Sequence, residues 1–228
     1  MEIKNAPVNK QAEETDKGYD VSRRRFFQLA GGLAGAGLLL SSCNNHTKPT
    51  ATYLGSGDVA LLNYLYIMEQ MEASYYTQAF ATPYYGMTKD ELLLMQDLRD
   101  QEIAHREFLK QVLGTNAIAA ISLNFSMVTF ADRNSVLSYA ALFEDLVISA
   151  INGSAHLFSN TDYVVTLNKM VTVEARHSAY VRDALYANTF SKNVIDVNGL
   201  DRSVSPAAGL ATAASYIHTN FDSSKLPN

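Results

Sequence analysis

The chain has almost no cysteine, no excess of positive charge and only a short apolar run near its N-terminus. Cys43 is the only cysteine among 228 residues, so an intramolecular disulfide is excluded. The 18 lysines and arginines are outnumbered by 23 aspartates and glutamates, and no basic stripe is present. We therefore expect no nucleic-acid binding. The apolar run 29–40 is shorter than the roughly 20 residues that a membrane-spanning helix needs.

The most informative pattern is a pair of Glu-x-x-His motifs, Glu102-x-x-His105 and Glu174-x-x-His177. Residues three apart lie on the same face of an α-helix, so each pair can bind one object. A lone glutamate precedes each motif, Glu69 before the first and Glu144 before the second. Two helices giving one Glu and two giving Glu-x-x-His supply the six ligands of a carboxylate-bridged two-metal centre. The pattern therefore predicts a metal centre at these six residues.

The spacings fit an antiparallel four-helix bundle. Glu69 and Glu102 are 33 residues apart, and Glu144 and Glu174 are 30 apart, which suits two helical hairpins. The 39 residues from His105 to Glu144 are too many for a tight turn and predict a long crossover. We expect helices near 58–81, 89–113, 134–157 and 161–187, a crossover over 115–132, and a short fifth helix near 206–220.

The two halves of the chain resemble each other. Segment 63–69 aligns with 138–144, and segment 101–105 aligns with 173–177, which indicates one helical hairpin used twice. In all four helices the candidate ligands interrupt an apolar stripe. Four buried glutamates without compensation would cost several kcal/mol each. The alternative, solvated surface charges, requires outward-facing positions that the stripes disfavour.

Glu72 is a second inward-facing carboxylate on the first helix, three residues after Glu69. The repeat aligns Glu69 with Glu144 and Glu72 with Val147, so only Glu69 has a symmetry mate. We therefore predict Glu69 as the ligand and Glu72 as an acceptor next to the centre or a carboxylate on the entry path.

The segment from Leu62 to Tyr76, which contains Glu69-Gln70-Met71-Glu72, is similar to the first helix of the secreted ferritin-like domain family that includes desiccation-related proteins. The resemblance covers about residues 57–221. It implies an all-α, ferritin-like four-helix bundle with a long crossover. It also implies that the di-metal ligands are Glu69, Glu102, His105, Glu144, Glu174 and His177. The activity of that family is poorly defined, so the resemblance leaves the catalytic residues unknown.

The N-terminal region has the sequence pattern of an export signal. Residues 22–29 contain Arg23 and Arg24 and have the pattern of a twin-arginine export signal, which precedes the glycine-rich apolar run. The run ends at Leu40-Ser41-Ser42-Cys43, which resembles a lipoprotein cleavage box. The alternative is a signal peptide with an incidental buried cysteine. We expect a lipid on Cys43, the only membrane contact, on the periplasmic side of a bacterial membrane.

The predicted organisation is a signal peptide (1–43), a flexible tether (44–57), a ferritin-like di-metal domain (58–221) and a C-terminal tail (222–228). Other tempting residues are interpreted as surface or packing groups: His46, His156 and His218, and the tyrosines Tyr64, Tyr139 and Tyr180, which can also flank the centre.

Ligand hardness suits two iron ions, with manganese as the alternative. The leading hypothesis is an exported di-iron protein with oxidase or peroxidase chemistry on O2, H2O2 or Fe(II). The alternatives are a dimanganese catalase-like enzyme and a non-catalytic envelope stress protein with a structural metal site. Iron storage in a closed cage is disfavoured, because a lipid and a tether on every subunit are awkward for a shell. Homo-oligomerisation stays open.

Overall fold

The computed structural model describes residues 50–228, which belong to one structural unit. The described part is mostly helical. Its helices are α1 (Gly57–Ala81), α2 (Lys89–Leu113), α3 (Arg133–Ser154), α4 (Thr161–Leu185) and α5 (Pro206–Ala213). Two-residue strands β1 (Thr52–Tyr53) and β2 (Phe221–Asp222) pair in parallel outside the bundle.

Side-chain caps define where three of the long helices begin. Thr88 and Glu91 form the reciprocal capping box at the start of α2 that the sequence predicts. The side chains of Asp132 and Asn160 accept hydrogen bonds from backbone N–H groups at the starts of α3 and α4. Gly114 follows α2 with a positive φ of 56°, a conformation that residues with a Cβ rarely adopt.

The bundle is built from two helical hairpins. α1 packs along α2, α3 packs along α4, and α1 also contacts α3, so the two hairpins meet at these central helices. The predicted all-α helical bundle is confirmed. α3, extended to Leu157, is long and apolar enough to cross a membrane, but 72% of its most apolar window is buried within the protein. We therefore interpret it as a core helix.

The segment between α2 and α3 is the crossover, and side chains of α1 hold it. Asn63 Oδ1 accepts a hydrogen bond from the backbone N–H of Ile118, and Gln70 Oε1 accepts one from that of Ile121. Further along, Leu123 forms an antiparallel bridge with Ile217 in the C-terminal segment. The crossover is thus a packed layer over α1, which explains why α1 is buried on nearly every side.

Some predicted boundaries differ from the structure. α3 ends at Ser154 and continues as a single 3₁₀ turn, α4 ends at Leu185, and α5 ends at Ala213 before another 3₁₀ turn. The fifth helix is shorter than predicted because the chain must become extended at Ile217 to pair with the crossover. Such pairing over long sequence separation leaves no local signal.

The structure differs from the predicted tether and tail at their inner ends. β1 pairs with β2, and Leu54, which follows β1, is fully buried. Asn63 Nδ2 also donates a hydrogen bond to the Leu54 carbonyl. Residues 52–56 therefore belong to the folded domain rather than to a flexible tether, and Phe221–Asp222 anchor the start of the tail. The earlier part of the tether and the whole signal region lie outside the described residues.

Candidate metal centre

The structure brings all six predicted ligand residues together inside the bundle. Each of the four long helices contributes from the apolar stripe that faces the bundle axis. The carboxylates are at most 1% exposed and the His177 residue is 5% exposed. The His105 side chain is the most accessible of the six at 14%. The six residues are Glu69 on α1, Glu102 and His105 on α2, Glu144 on α3, and Glu174 and His177 on α4.

The six side chains fall into two overlapping groups. One group contains Glu69 and His105, and the other contains Glu144 and His177, while Glu102 and Glu174 belong to both. Within each group the potential ligand atoms lie within 4.8 Å of one another. Two positions that share two carboxylates are the arrangement of a carboxylate-bridged metal pair. The glutamates of the Glu-x-x-His motifs occupy the shared positions.

The histidines contact the centre in a crossed pattern. His105 Nδ1 lies 2.5 Å from Oε1 of Glu174, the glutamate of the other motif, and 3.5 Å from Oε2 of Glu102. His177 Nδ1 lies 2.7 Å from Oε1 of Glu102 and 3.2 Å from Oε2 of Glu174. The lone glutamates are farther away, at 3.7 Å each: Glu69 from His105 Nδ1, and Glu144 from His177 Nδ1. Each imidazole therefore presents Nδ1 to the carboxylates.

Most of these donor atoms are buried without a hydrogen-bond partner of proper geometry. They are Nδ1 of both histidines, both oxygens of Glu102 and Glu174, and one oxygen each of Glu69 and Glu144. The short approaches between these atoms lack hydrogen-bond geometry, so the atoms face one shared space inside the bundle. Buried polar atoms are rarely left unpaired in native proteins. Carboxylate oxygens and imidazole nitrogens that converge in this way fit metal ions.

Burial and the mutual contacts shift the pKa values strongly. Burial opposes charge on His105 and His177, but their contacts with Glu102 and Glu174 outweigh it and raise the imidazole pKa values to about 12 and about 11. Burial also raises the pKa of Glu69 and Glu144 well above the usual range. For Glu174, the two histidines outweigh burial and lower the pKa to about 2. Without metal, the centre thus retains protons that metal ions would displace.

Two residues that the sequence analysis did not assign support one side of the centre. The Tyr76 hydroxyl donates a hydrogen bond of 2.5 Å to Oε1 of Glu144. His177 Nε2 lies 3.0 Å from Gln101 Oε1, so an Nε2–H can donate to this oxygen while Nδ1 faces the centre, where a metal ion would displace its proton. Tyr76 lies seven residues after Glu69 on the same apolar stripe, so the sequence could predict that it faces the bundle interior. Gln101 gave no signal, because it is exposed and only neighbours the motif.

Glu72 lies inside the bundle, as its place on the stripe predicts, but it accepts no hydrogen bond from the described residues. It is fully buried, and both carboxylate oxygens lack a partner. It also belongs to neither of the two ligand groups.

The remaining candidates do not converge on the centre. Tyr180 is 58% exposed, and His156 and His218 lie on the surface. Tyr139 packs against Phe143 and Tyr216. The sequence interpretation of these four residues as surface or packing groups matches their positions.

Tyr64 is fully buried in a packing position. A Cβ added at Gly209 of α5 would lie only 1.9 Å from its hydroxyl oxygen, so this glycine allows the fifth helix to pack against α1. Arg23, Arg24, Cys43 and His46 lie outside the described residues.

Comparison with known proteins agrees with this architecture. The family model of the ferritin-like domain matches residues 57–187, which span all four bundle helices. The chain belongs to the ferritin-like domain family. No curated protein gives a significant match. Membership of this family and the buried carboxylate–histidine group together define a ferritin-like protein with a site that can bind metal.

Proposed function

We propose that this ferritin-like protein is an exported di-metal carboxylate oxidoreductase that acts on O2, H2O2 or Fe(II). The observation that carries the proposal is the convergence of six buried ligand side chains whose donor atoms lack hydrogen-bond partners. Iron is the first choice for the two metal ions and manganese the alternative, because both accept mixed carboxylate and imidazole ligands. When bound, such a metal pair supplies electrons to, or takes electrons from, O2, peroxide or Fe(II).

Different residues would bind the two metal ions and orient their ligands. Glu102 and Glu174 belong to both ligand groups and would hold both ions. Gln101 orients His177, and Tyr76 engages one oxygen of Glu144 so that the other stays directed at the centre. The surrounding apolar side chains exclude water, which strengthens electrostatic interactions inside the site.

Access to the centre differs between its two sides. The His105 side chain is 14% exposed, whereas that of His177 is 6% exposed. We therefore expect small reactants to approach from the side of α2 that carries His105.

Export and anchoring rest on the sequence pattern of the N-terminal region. Arg23 and Arg24 would direct the folded protein through the twin-arginine route, and Cys43 would carry the lipid. Residues 44–51 would then link the lipid to β1. The protein would then act on the periplasmic side of a bacterial membrane.

The chemical proposal is tested by loading the purified chain with Fe(II) without oxygen and then adding O2 or H2O2. We expect about two metal ions per chain and the near-ultraviolet absorption of a ferric centre after oxidation. Stable binding without any redox turnover would instead support a structural metal site in a non-catalytic envelope protein. Rapid O2 release from H2O2 by the manganese form would support the catalase-like alternative.

The location is tested by two sets of substitutions. Replacement of Arg23 and Arg24 together by Lys should leave the precursor in the cytoplasm. Cys43→Ala should give an exported protein that is no longer in the membrane fraction. A Cys43→Ala protein that stays in the membrane with unchanged mobility would contradict the lipid attachment.

A further inference from the structure

Glu72 is the one fully buried carboxylate near the centre that the six-ligand arrangement does not use. It lies on α1, one turn after Glu69 and one turn before Tyr76. Neither of its oxygens has a hydrogen-bond partner among the described residues. A carboxylate in this environment is costly unless a proton, a hydrogen-bond donor or a cation compensates it. No lysine or arginine among residues 50–228 forms an ion pair with it.

The surroundings of Glu72 place it on the Glu144 side of the centre. Burial raises its pKa well above the usual range, and among the neighbouring charges Glu144 contributes most to this rise. Tyr76, one turn further along the same face of α1, donates its hydroxyl to Glu144. Because Tyr76 reaches Glu144 and Glu72 lies one turn before Tyr76 on the same face of α1, this part of the α1 face lies along the Glu144 side of the centre.

We propose that Glu72 is a seventh protein ligand, which binds the metal ion held by Glu144 and His177. The inference rests on the proposed function, since it requires a metal at that position. The four shared and terminal glutamates balance the charge of two divalent ions. A fifth carboxylate adds one negative charge at the Glu144 side and favours the more highly charged state of that ion. The Glu69 side has no counterpart, because the repeat places Val147 at the position equivalent to Glu72.

Cobalt binding provides the first test, because the absorption of Co(II) depends on its ligands. The full chain, a Glu72→Gln variant and a Glu107→Gln control are each titrated with Co(II). Glu107 lies on α2 and pairs with Arg106 on the surface, so its replacement should change nothing. For Glu72→Gln we expect one ion to bind as in the unmodified chain. The other should bind about 10- to 100-fold more weakly, with an altered spectrum.

Thermal unfolding and redox measurements separate a ligand from a merely buried acid. Loss of a buried acid that makes no metal contact would leave the Co(II)-induced rise in Tm unchanged. Loss of a ligand should reduce this rise while the metal-free protein stays at least as stable. In the iron-loaded protein, Glu72→Gln should also raise the reduction potential, because one negative charge is removed. If Glu72→Gln does not fold, Glu72→Asp, which retracts the carboxylate by one methylene, should show the same loss of affinity in smaller degree.

The outcomes distinguish this inference from the proposed function. Two Co(II) ions in the unmodified chain, with unchanged affinity and spectrum in Glu72→Gln, would overturn the role of Glu72 alone. Failure of the unmodified chain to bind two ions would overturn both.

Discussion

The two sides of the candidate centre have the same ligands but different surroundings. Each side has a lone glutamate, a histidine and a share in Glu102 and Glu174. Among residues 50–228, only the Glu144–His177 side has further polar support, from Tyr76 and Gln101. At the positions that the repeat makes equivalent to Glu72, Tyr76 and Gln101, the chain has Val147, Ile151 and Val173.

If the centre binds the proposed metal pair, this difference would make the two metal positions unequal. Both halves of the chain have the same proposed ligand types, which would balance the charge of the two ions. The outer contacts are one-sided, and they orient the ligands of one position more tightly than those of the other. We therefore expect the Glu144–His177 position to bind its ion more tightly. The partly exposed Glu69–His105 position should exchange its ion more readily.

The largest effect should come from the two shared glutamates, where the sides do not differ. Replacement of Glu174 by Gln removes a ligand from both positions, so metal content should fall from about two ions per chain to nearly none. Glu102→Gln should act in the same way. Metal analysis of the purified variants, with circular dichroism to confirm the helical fold, checks this expectation. Retention of one ion in both variants would show that these carboxylates are not shared.

The next effect separates the two sides. Glu69→Gln and Glu144→Gln should each lower the metal content to about one ion per chain, and the ion that remains should differ in affinity. The remaining ion in Glu69→Gln should resist a chelator longer, because Tyr76 and Gln101 still support its position. Timed chelation of both variants measures the difference. Equal rates of metal loss from the two variants would contradict the expected difference between the two sides. Slower loss from Glu144→Gln would show that the Glu69–His105 position binds its ion more tightly.

The sequence predicted well which six side chains converge, and it predicted their surroundings poorly. The six ligand positions are readable because a buried carboxylate interrupts an apolar stripe at helical spacing, as with Glu144 between Ala140 and Val147. Tyr76 is on such a stripe too, but an aromatic residue there does not differ from a packing residue. The contact between Gln101 and His177 joins α2 to α4 over 76 residues, so no local pattern marks it. The pairing of β1 with β2 was missed for the same reason.

A pH response should be common to both sides. In the metal-free protein the raised pKa values of Glu69 and Glu144, and those of the two histidines at about 12 and 11, mean that the folded state holds protons that the unfolded chain releases. Stability from these groups is present at low pH and is lost as the pH rises. For the glutamates the loss begins above the ordinary carboxyl pKa of 4.5, and for the histidines above the ordinary imidazole pKa of 6.5. Glu174 acts in the opposite direction, and its contribution is lost as the pH falls from 4.5 toward about 2.

The Tm of the metal-free protein should therefore fall between about pH 5 and pH 9, and the metal-induced rise in Tm should grow over the same range. Calorimetry with and without Co(II) measures both. His105→Gln and His177→Gln should each remove a similar part of the slope above pH 6.5, since the two imidazoles have nearly the same pKa. A slope that depends on only one histidine would extend the difference between the sides to their proton chemistry.

The smallest effect should come from the outer contacts themselves, and it tests the comparison most directly. Tyr76→Phe removes one hydroxyl that donates to Glu144, and Gln101→Val gives α2 the residue found at the equivalent position of α4. Loss of such an outer contact typically costs about 10- to 100-fold in metal affinity. Because Gln101 is exposed and water can replace its amide, we expect the low end of this range for Gln101→Val. Tyr76 is fully buried, so Glu144 would lose its donor without replacement and the effect should be larger.

Both substitutions should weaken the Glu144–His177 position and leave the other unchanged, as measured by stepwise Co(II) titration. The double variant should then show a smaller difference in affinity between its two positions, and the difference that remains should come from Glu72. An undiminished difference in the double variant would locate the cause of the asymmetry in Glu72 alone.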